Sequence, residues 1–238
     1  MRRRSHRLRL AAATAAAALL TAVGVDGALA APKTISHAGA TAIATAVNLR
    51  HSDLATLKQQ SNVVTPADRR SGATLDACIG ETPPGKFYAD VLSPNFVGPS
   101  PDQLTISSET EILPSPALVA SDLAAIRRPK ALSCLENSLG KALVSSAPKG
   151  STFKISVGRL SARLAGTDGV AAVRVTAVFK IKQGSTTVTV PAYIDDVGFA
   201  YGQAEVSLDV ISTTAPPSAE LETRLAVLLV DRAHAAMG

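Results

Sequence analysis

The stretch VAAVRVTAVFKIKQGSTTVTVPAYIDDVGFAYGQAEVSLDVIS, residues 170–212, contains three runs in which apolar and polar residues alternate. Short glycine-containing turns separate the three runs. Alternation with a period of two is typical of strands that bury one face, and closely spaced runs of this kind predict an antiparallel meander. We therefore expect the rest of the chain to pack around a sheet built from this stretch.

The alternation changes phase at two places, and each change predicts a bend in the sheet. Near Gly158 the apolar positions change from odd to even residue numbers, and at Asp195-Asp196 they change from even to odd. A change of phase within one strand requires an extra residue, so we expect β-bulges at both places. The sheet should therefore be curved and should have a concave side.

Helix signals flank the predicted sheet. Thr65 and Pro66 are a favourable N-cap and first residue, and Gly80 is a favourable helix end. We expect further helices at 117–126 and 130–145, and a terminal helix that ends near Ala236. Helices before and after a run of strands indicate the α+β class, with a curved antiparallel sheet and helices packed on one face.

The first thirty residues have the three parts of a signal peptide. Five arginines precede an apolar stretch at 10–25, and Ala28-Leu29-Ala30 fits a signal peptidase site. We expect a signal peptide at 1–30, an N-terminal arm at 31–50 and a single α+β sensor-like domain at 51–238. The product should be secreted or extracytoplasmic, in the cell wall or outside the cell, without an integral membrane segment.

The basic character of the whole chain comes largely from its first residues. Of 24 Lys+Arg and 19 Asp+Glu in the chain, five arginines and one acid lie in residues 1–30. The remainder is close to neutral, and the pairs Arg69-Arg70 and Arg127-Arg128 are too few to make a basic face. We therefore expect no nucleic-acid partner.

The two cysteines, Cys78 and Cys134, are the whole cysteine content of the chain. An even number of cysteines in an exported protein favours a disulfide. Two free thiols are the alternative that the residues leave open.

Signatures of common enzyme classes are missing from the sequence. The histidines His37, His51 and His234 have no paired spacing of the kind that metal sites show, and no G-x-S-x-G or glycine-rich phosphate loop occurs. We therefore expect no metal and no cofactor, and we favour a protein without catalytic activity.

Asp195-Asp196 is the one paired-carboxylate motif in the predicted sheet, and Tyr193 and Tyr201 flank it. Paired carboxylates can act as acid and base. The simpler interpretation is that a bulge leaves both carboxylates exposed to solvent. We expect a ligand on the concave side under the terminal helix. The candidate ligand-binding residues are Val175, Phe179, Val190, Tyr193, Asp195, Asp196, Tyr201 and Leu208.

Four segments carry a resemblance to a known family; they are TPADRRSGATLDACIG, SSETEILPSPALVASDLAAI, PKALSCLENSLGKAL and VPAYIDDVGFAYGQAEVSLDVIS. Their layout resembles the PknH-type extracytoplasmic sensor domain of certain actinobacterial serine/threonine kinases and its stand-alone secreted relatives. The resemblance implies a mixed antiparallel sheet backed by helices, with Cys78 and Cys134 paired. Such kinase sensors often carry a second disulfide, but this sequence has no further cysteines to form one. It also lacks a kinase domain, so we expect a secreted stand-alone relative.

The function expected from these observations is a monomeric, non-catalytic binding or sensor-like domain for a small apolar or cell-envelope ligand. One alternative is an interaction module for an envelope protein, docking through a strand at 86–97 or through the wet face of the sheet. A hydrolase that uses Asp195 or Asp196 is the other alternative.

Overall fold

The structure, a computed structural model, describes residues 33–99, 104–146, 151–183 and 186–238. The expected signal peptide lies outside the described residues. The helices are α1 (His37–Val47), α2 (Pro66–Ile79), α3 (Pro116–Ile126), α4 (Pro129–Ser146) and α5 (Ala219–Met237). The strands are β1 (Lys58–Gln60), β2 (Ala89–Leu92), β3 (Asn95–Val97), β4 (Thr105–Ile112), β5 (Thr152–Arg159), β6 (Gly169–Gln183), β7 (Thr186–Tyr201) and β8 (Ala204–Ser212). Short 3-10 helices occupy His51–Leu54 and Pro84–Lys86.

The strands form one antiparallel sheet in the order β1-β3-β4-β8-β7-β6-β5, with β2 also paired to β4. The meander predicted from residues 170–212 is confirmed, because β5 to β8 pair consecutively. The α+β class and the antiparallel sheet are confirmed with it. Among the described residues, none of the helices has the length and apolar character that a membrane crossing requires.

Both faces of this sheet bury apolar side chains under helices. The α5 face, which carries Phe199, Val206 and Leu208, packs on α1 and α5. The opposite α4 face, which carries Ala171 and Val173, packs on α2, α3 and α4. The prediction that helices pack on one face of the sheet is therefore correct for α1 and α5 only. A second layer, made of α2, α3 and α4, covers the opposite face.

The bulge predicted at Asp195-Asp196 is wrong. The ladder between β6 and β7 is regular from Gly169↔Ala200 to Gln183↔Thr186. The change of phase has another cause, because Ile194 packs into the core of the α4 face whereas Val197 packs into the core of the α5 face. When helices cover both faces of a strand, its apolar residues can switch from even to odd positions without an extra residue.

The bulge predicted at Gly158 is wrong for the same reason. The β5–β6 ladder passes through Gly158↔Arg174 without interruption. After Arg159 the chain continues into a segment at 160–164, whose Leu160, Ala162 and Leu164 pack into the core of the α5 face. Residues 160–164 therefore cross from one core to the other.

Helix α2 forms as its sequence signals predict. The Thr65 hydroxyl accepts a hydrogen bond from the backbone N–H of Asp68, and the Asp68 carboxylate accepts one from the Thr65 N–H at 2.7 Å. Gly80 ends the helix with φ 93°, a left-handed conformation that favours glycine. The expected disulfide joins Cys78 of α2 to Cys134 of α4, so the two helices are covalently linked over the α4 face.

The stretch assigned to an N-terminal arm contributes a core helix. Ala40, Ala44 and Val47 of α1 are all 0% exposed and pack against the α5 face. Residues 37–47 are therefore part of the domain that the sheet organises.

We predict that Cys78→Ala/Cys134→Ala is less stable than the native chain by up to about 4 kcal/mol, because the bridge closes a loop with a separation of 56 residues. Urea unfolding of the oxidised native protein and the double variant measures this loss. Free-thiol labelling of the native protein should find no reactive cysteine. Equal unfolding midpoints with and without reductant would contradict the prediction.

Candidate functional site

The regular register divides the predicted ligand-binding residues between the two faces of the sheet. Four of them lie on the α4 face, namely Val175, Phe179, Val190 and Asp196. The other four lie on the α5 face, namely Tyr193, Asp195, Tyr201 and Leu208. These eight residues therefore do not line one pocket, and the single concave site expected from the sequence is replaced by two separate surfaces.

Asp195 and Asp196 do not form a catalytic pair. Neighbouring residues on a regular strand point to opposite faces. Asp195 pairs with Arg174 and Val210, whereas Asp196 pairs with Val173 and Asp209. An acid–base mechanism that uses both carboxylates is therefore excluded by the register.

The strand edge expected to dock a partner is only partly occupied. The 86–97 segment forms β2 and β3, separated at Pro94, and both pair with β4. The other side of β3 pairs with β1, so β3 has no free edge. Among the described strands β2 pairs with β4 alone, so the docking hypothesis is confined to the short edge Ala89–Leu92 and stays a prediction.

Asp195 forms a buried salt bridge on the α5 face. Its carboxylate is 0% exposed and accepts two hydrogen bonds from the Arg174 guanidinium, one of them from Nε at 2.6 Å. Arg174 is the residue directly opposite Asp195 on β6, so the ladder itself aligns the pair. The hydrogen bonds to Asp195 raise the pKa of Arg174 above its usual value.

Glu222 of α5 completes this group. It lies in the first turn of the helix that Ser218 caps, and its side chain is only 7% exposed. Burial, and then a hydrogen bond with Asp195, raise the pKa of Glu222 to about 8. At neutral pH Glu222 is therefore protonated, and Asp195 is contacted by Arg174 and Glu222 together.

A cleft of about 110 Å³ lies beside Glu222. Its walls are residues 160–164, Ala172 and Val197 of the sheet, and the first two turns of α5. The Oε1 atom of Glu222 is buried, and no hydrogen-bond donor in the described part of the chain reaches it. We call this space the α5 cleft; it is lined by apolar side chains and by Glu222.

The α4 face carries a second polar group, which we call the acidic patch. Its buried carboxyl groups belong to Glu109, Glu111, Glu205, Asp209 and Asp196. One carboxylate oxygen from each of Asp90, Glu109 and Glu111 lies within 4.8 Å of the others, a spacing at which oxygen ligands could hold a cation. Burial raises the pKa of Asp209 to about 7. An adjacent cavity of about 20 Å³ is large enough for about one water molecule.

Glu205, Ser207 and Asp209 alternate with apolar residues along β8, and this alternation alone predicts that they face solvent, which is wrong. All three are buried, because a second layer of helices covers the face that alternation alone marks as polar. The signal for the α5 cleft was equally ambiguous. In the sequence Glu222 is simply an acid in the first turn of a predicted helix, where it favours the helix dipole, and this pattern gives no sign of a cleft.

No protein-family model matches the chain, and no curated protein matches it. Among solved structures the chain is similar to the extracellular domain of PknH from Mycobacterium tuberculosis, with a TM-score of 0.44 and 10% sequence identity. The match covers 85% of this chain and 98% of the PknH domain. Membership of the family suggested by the sequence stays a prediction, and the function is argued from the chain's own residues.

We predict that the free energy of unfolding falls as the pH rises from about 5 to 8. The folded-state pKa of Glu222, about 8, lies above the ordinary value of 4.5, so the folded state binds a proton that the unfolded state has lost. This stabilisation is fully present below about pH 4.5 and is lost as the pH rises through 8. Asp209 contributes in the same direction up to about pH 7.

The variant Glu222→Gln tests this assignment, because it keeps a donor to Asp195 but cannot titrate. It should reduce the slope of stability against pH by up to about 1.4 kcal/mol per pH unit. Urea unfolding at several pH values measures the slope. The control is Glu220→Gln, an exposed acid in the same turn, which should leave the slope unchanged. Equal slopes in Glu222→Gln and the native protein would refute the assignment.

Proposed function

We propose that the chain is an extracytoplasmic, non-catalytic binding domain of the sensor-like kind, and that its small ligand enters the α5 cleft. The observation that carries the proposal is the cleft itself, which has Leu160, Ala162 and Ala172 on its wall and the buried Glu222 among its lining residues. A cleft that is open to a small molecule and lined by apolar side chains with a few polar groups is the usual form of a ligand site.

The polar group beside the cleft supports binding over acid–base catalysis. Both oxygens of Asp195 accept hydrogen bonds from Arg174, and Glu222 adds a third contact. The Asp195 side chain is 0% exposed and both of its oxygens are engaged, so it is not open to a substrate. The group therefore serves to fix the orientation of Glu222 at the wall of the cleft.

The disulfide supports an extracytoplasmic location. Bridges between cysteines form and persist in oxidising compartments, and Cys78–Cys134 closes over the α4 face. The expected leader at 1–30 agrees with this location. We predict that N-terminal sequencing of the protein from culture filtrate or cell wall of its host begins at Ala31. A product that retains Met1 would contradict export by cleavage.

Occupancy of the α5 cleft is tested by blocking it. Thr223 is exposed and lines the cleft, so Thr223→Trp should fill the space without disturbing the core. Arg224→Trp, one residue further along the same helix and outside the lining, is the matched control. We predict that native mass spectrometry of protein purified from its host shows a small-molecule adduct on the native chain and on Arg224→Trp but not on Thr223→Trp.

Two outcomes of this experiment would count against the proposal. An adduct that persists on Thr223→Trp would place the ligand elsewhere. Three unliganded spectra, recorded under conditions that preserve weak complexes, would mean that the cleft holds only solvent.

A further inference from the structure

The sheet ends at β5, and no described strand lies against the outer side of this strand. β5 is the last strand in the sheet order and pairs with β6 alone. In an antiparallel edge strand, every second residue directs its N–H and C=O groups away from the one neighbouring strand. The outer side of Thr152–Arg159, which we call the β5 edge, therefore presents a row of backbone groups to which a further strand can bond.

The β5 edge differs from the other open edges in length and regularity. β5 has 8 residues, whereas β1 at the opposite end of the sheet has 3 and β2 has 4. Its ladder runs from Thr152↔Lys180 to Arg159↔Val173 without a bulge, and its sequence contains no proline. Proteins commonly shorten, bulge or interrupt an edge strand that has to stay unpaired. β5 has none of these features, so only its charge restricts which strand can pair with it.

The charge at this end of the sheet is one-sided. From 151 to 194 the sequence carries six Lys or Arg and one acid, Asp168. Lys154, Lys180 and Lys182 lie on the part of the α5 face that continues past α5, and all three are exposed. None of the three forms an ion pair with a residue in the described ranges. The β5 edge is therefore bordered by positive charge that the described chain does not neutralise.

Gly158 leaves open space on the same side of the sheet as Lys154. A Cβ atom added at Gly158 would meet nothing within 4 Å among the described residues. A glycine inside a strand often marks a bulge or a place where another backbone approaches closely. The regular ladder excludes a bulge, so the sheet itself does not require glycine here. The space suits a large side chain on a strand that is added beside β5.

The lysines favour an acidic strand over a second copy of this chain. Two β5 edges paired with each other would bring Lys154 and Lys180 of both copies together, and like charges at neighbouring positions destabilise a sheet. A strand with acidic residues at every second position would place carboxylates beside these lysines. Its alternate side chains would extend the half-buried apolar row of Phe153, Ile155 and Val157 on the α4 face.

We propose that the β5 edge docks an extended acidic segment of another protein, which adds a strand to the sheet along Thr152–Arg159. Backbone hydrogen bonds supply the affinity, and Lys154, Lys180 and Lys182 select acidic side chains. No residue of β5 lines the α5 cleft, so this interaction is independent of the proposed small-molecule site.

Four synthetic peptides separate strand pairing from simple charge attraction. The first has eight residues that alternate glutamate with valine, and the second has lysine in place of every glutamate. The third and fourth are the first peptide with N-methyl groups on all glutamates or on all valines, which removes the N–H groups from one or the other side of the extended peptide. Each is titrated into the native full domain while NMR and amide hydrogen exchange follow Thr152–Arg159.

We predict that the glutamate peptide binds and slows exchange of the β5 amides that point away from β6, and that the lysine peptide does not bind. Only one of the two methylated peptides should bind, because only one side of the peptide pairs with β5. Lys154→Glu/Lys180→Glu should weaken binding of the glutamate peptide about tenfold, since two exposed ion pairs are lost. The matched control is Lys58→Glu, an exposed lysine on the edge strand at the other end of the sheet, which should bind as the native chain does.

Several results would overturn this inference, and none of them bears on the α5 cleft. If both methylated peptides bind as tightly as the glutamate peptide, the contact is charge attraction without an added strand. Equal weakening by Lys58→Glu would mean that net charge and not the β5 edge controls binding. A native protein that dimerises with its β5 amides protected would assign the edge to a second copy. If the glutamate peptide leaves exchange of Thr152–Arg159 unchanged, the edge is not a docking site.

Discussion

The unbroken pairing of β6 with β7 is the constraint on which the rest of the molecule depends. Because the ladder runs from Gly169↔Ala200 to Gln183↔Thr186 without a bulge, every second side chain of both strands has its face fixed. The strands then bury apolar residues on both sides, under α5 on one face and under α4 on the other. This one register separates Asp195 from Asp196 and thereby creates two polar sites in place of one.

The two polar sites differ in how their charge is compensated. On the α5 face the cross-strand partner Arg174 neutralises Asp195, and Glu222 adapts by remaining protonated. On the α4 face the acids of β4, β7 and β8 are neighbours in the ladder, as Glu111↔Glu205 and Asp196↔Asp209 show. Like charges directly opposite each other in a sheet destabilise it, and the raised pKa of Asp209 relieves part of this repulsion.

The sequence predicted the structure correctly where interactions between residues close in the chain, or a single covalent bond, determine it. The cap at Thr65, the stop at Gly80 and the cysteine count predicted α2 and its bridge, because each signal acts within a few residues or through one covalent bond. The sequence did not predict burial correctly where a second layer of helices covers a face of the sheet. Alternation along β8 showed that Glu205 and Asp209 share a face, but it cannot show that helices cover that face. The same limit made a switch between two cores look like a bulge at Asp195.

Folding stability alone does not account for Glu222. Replacing a buried polar or ionic group by an apolar side chain of similar size is often neutral or stabilising in proteins, and the neighbours of Glu222 along α5, Leu225, Ala226 and Leu229, are apolar and buried. A leucine in the first turn would extend that stripe and would free Arg174 to hold Asp195 alone. A carboxyl group at this position costs desolvation and adds little to the helix. Its placement beside the buried Arg174–Asp195 pair, at the wall of a cleft, is the feature of this face that apolar packing does not explain.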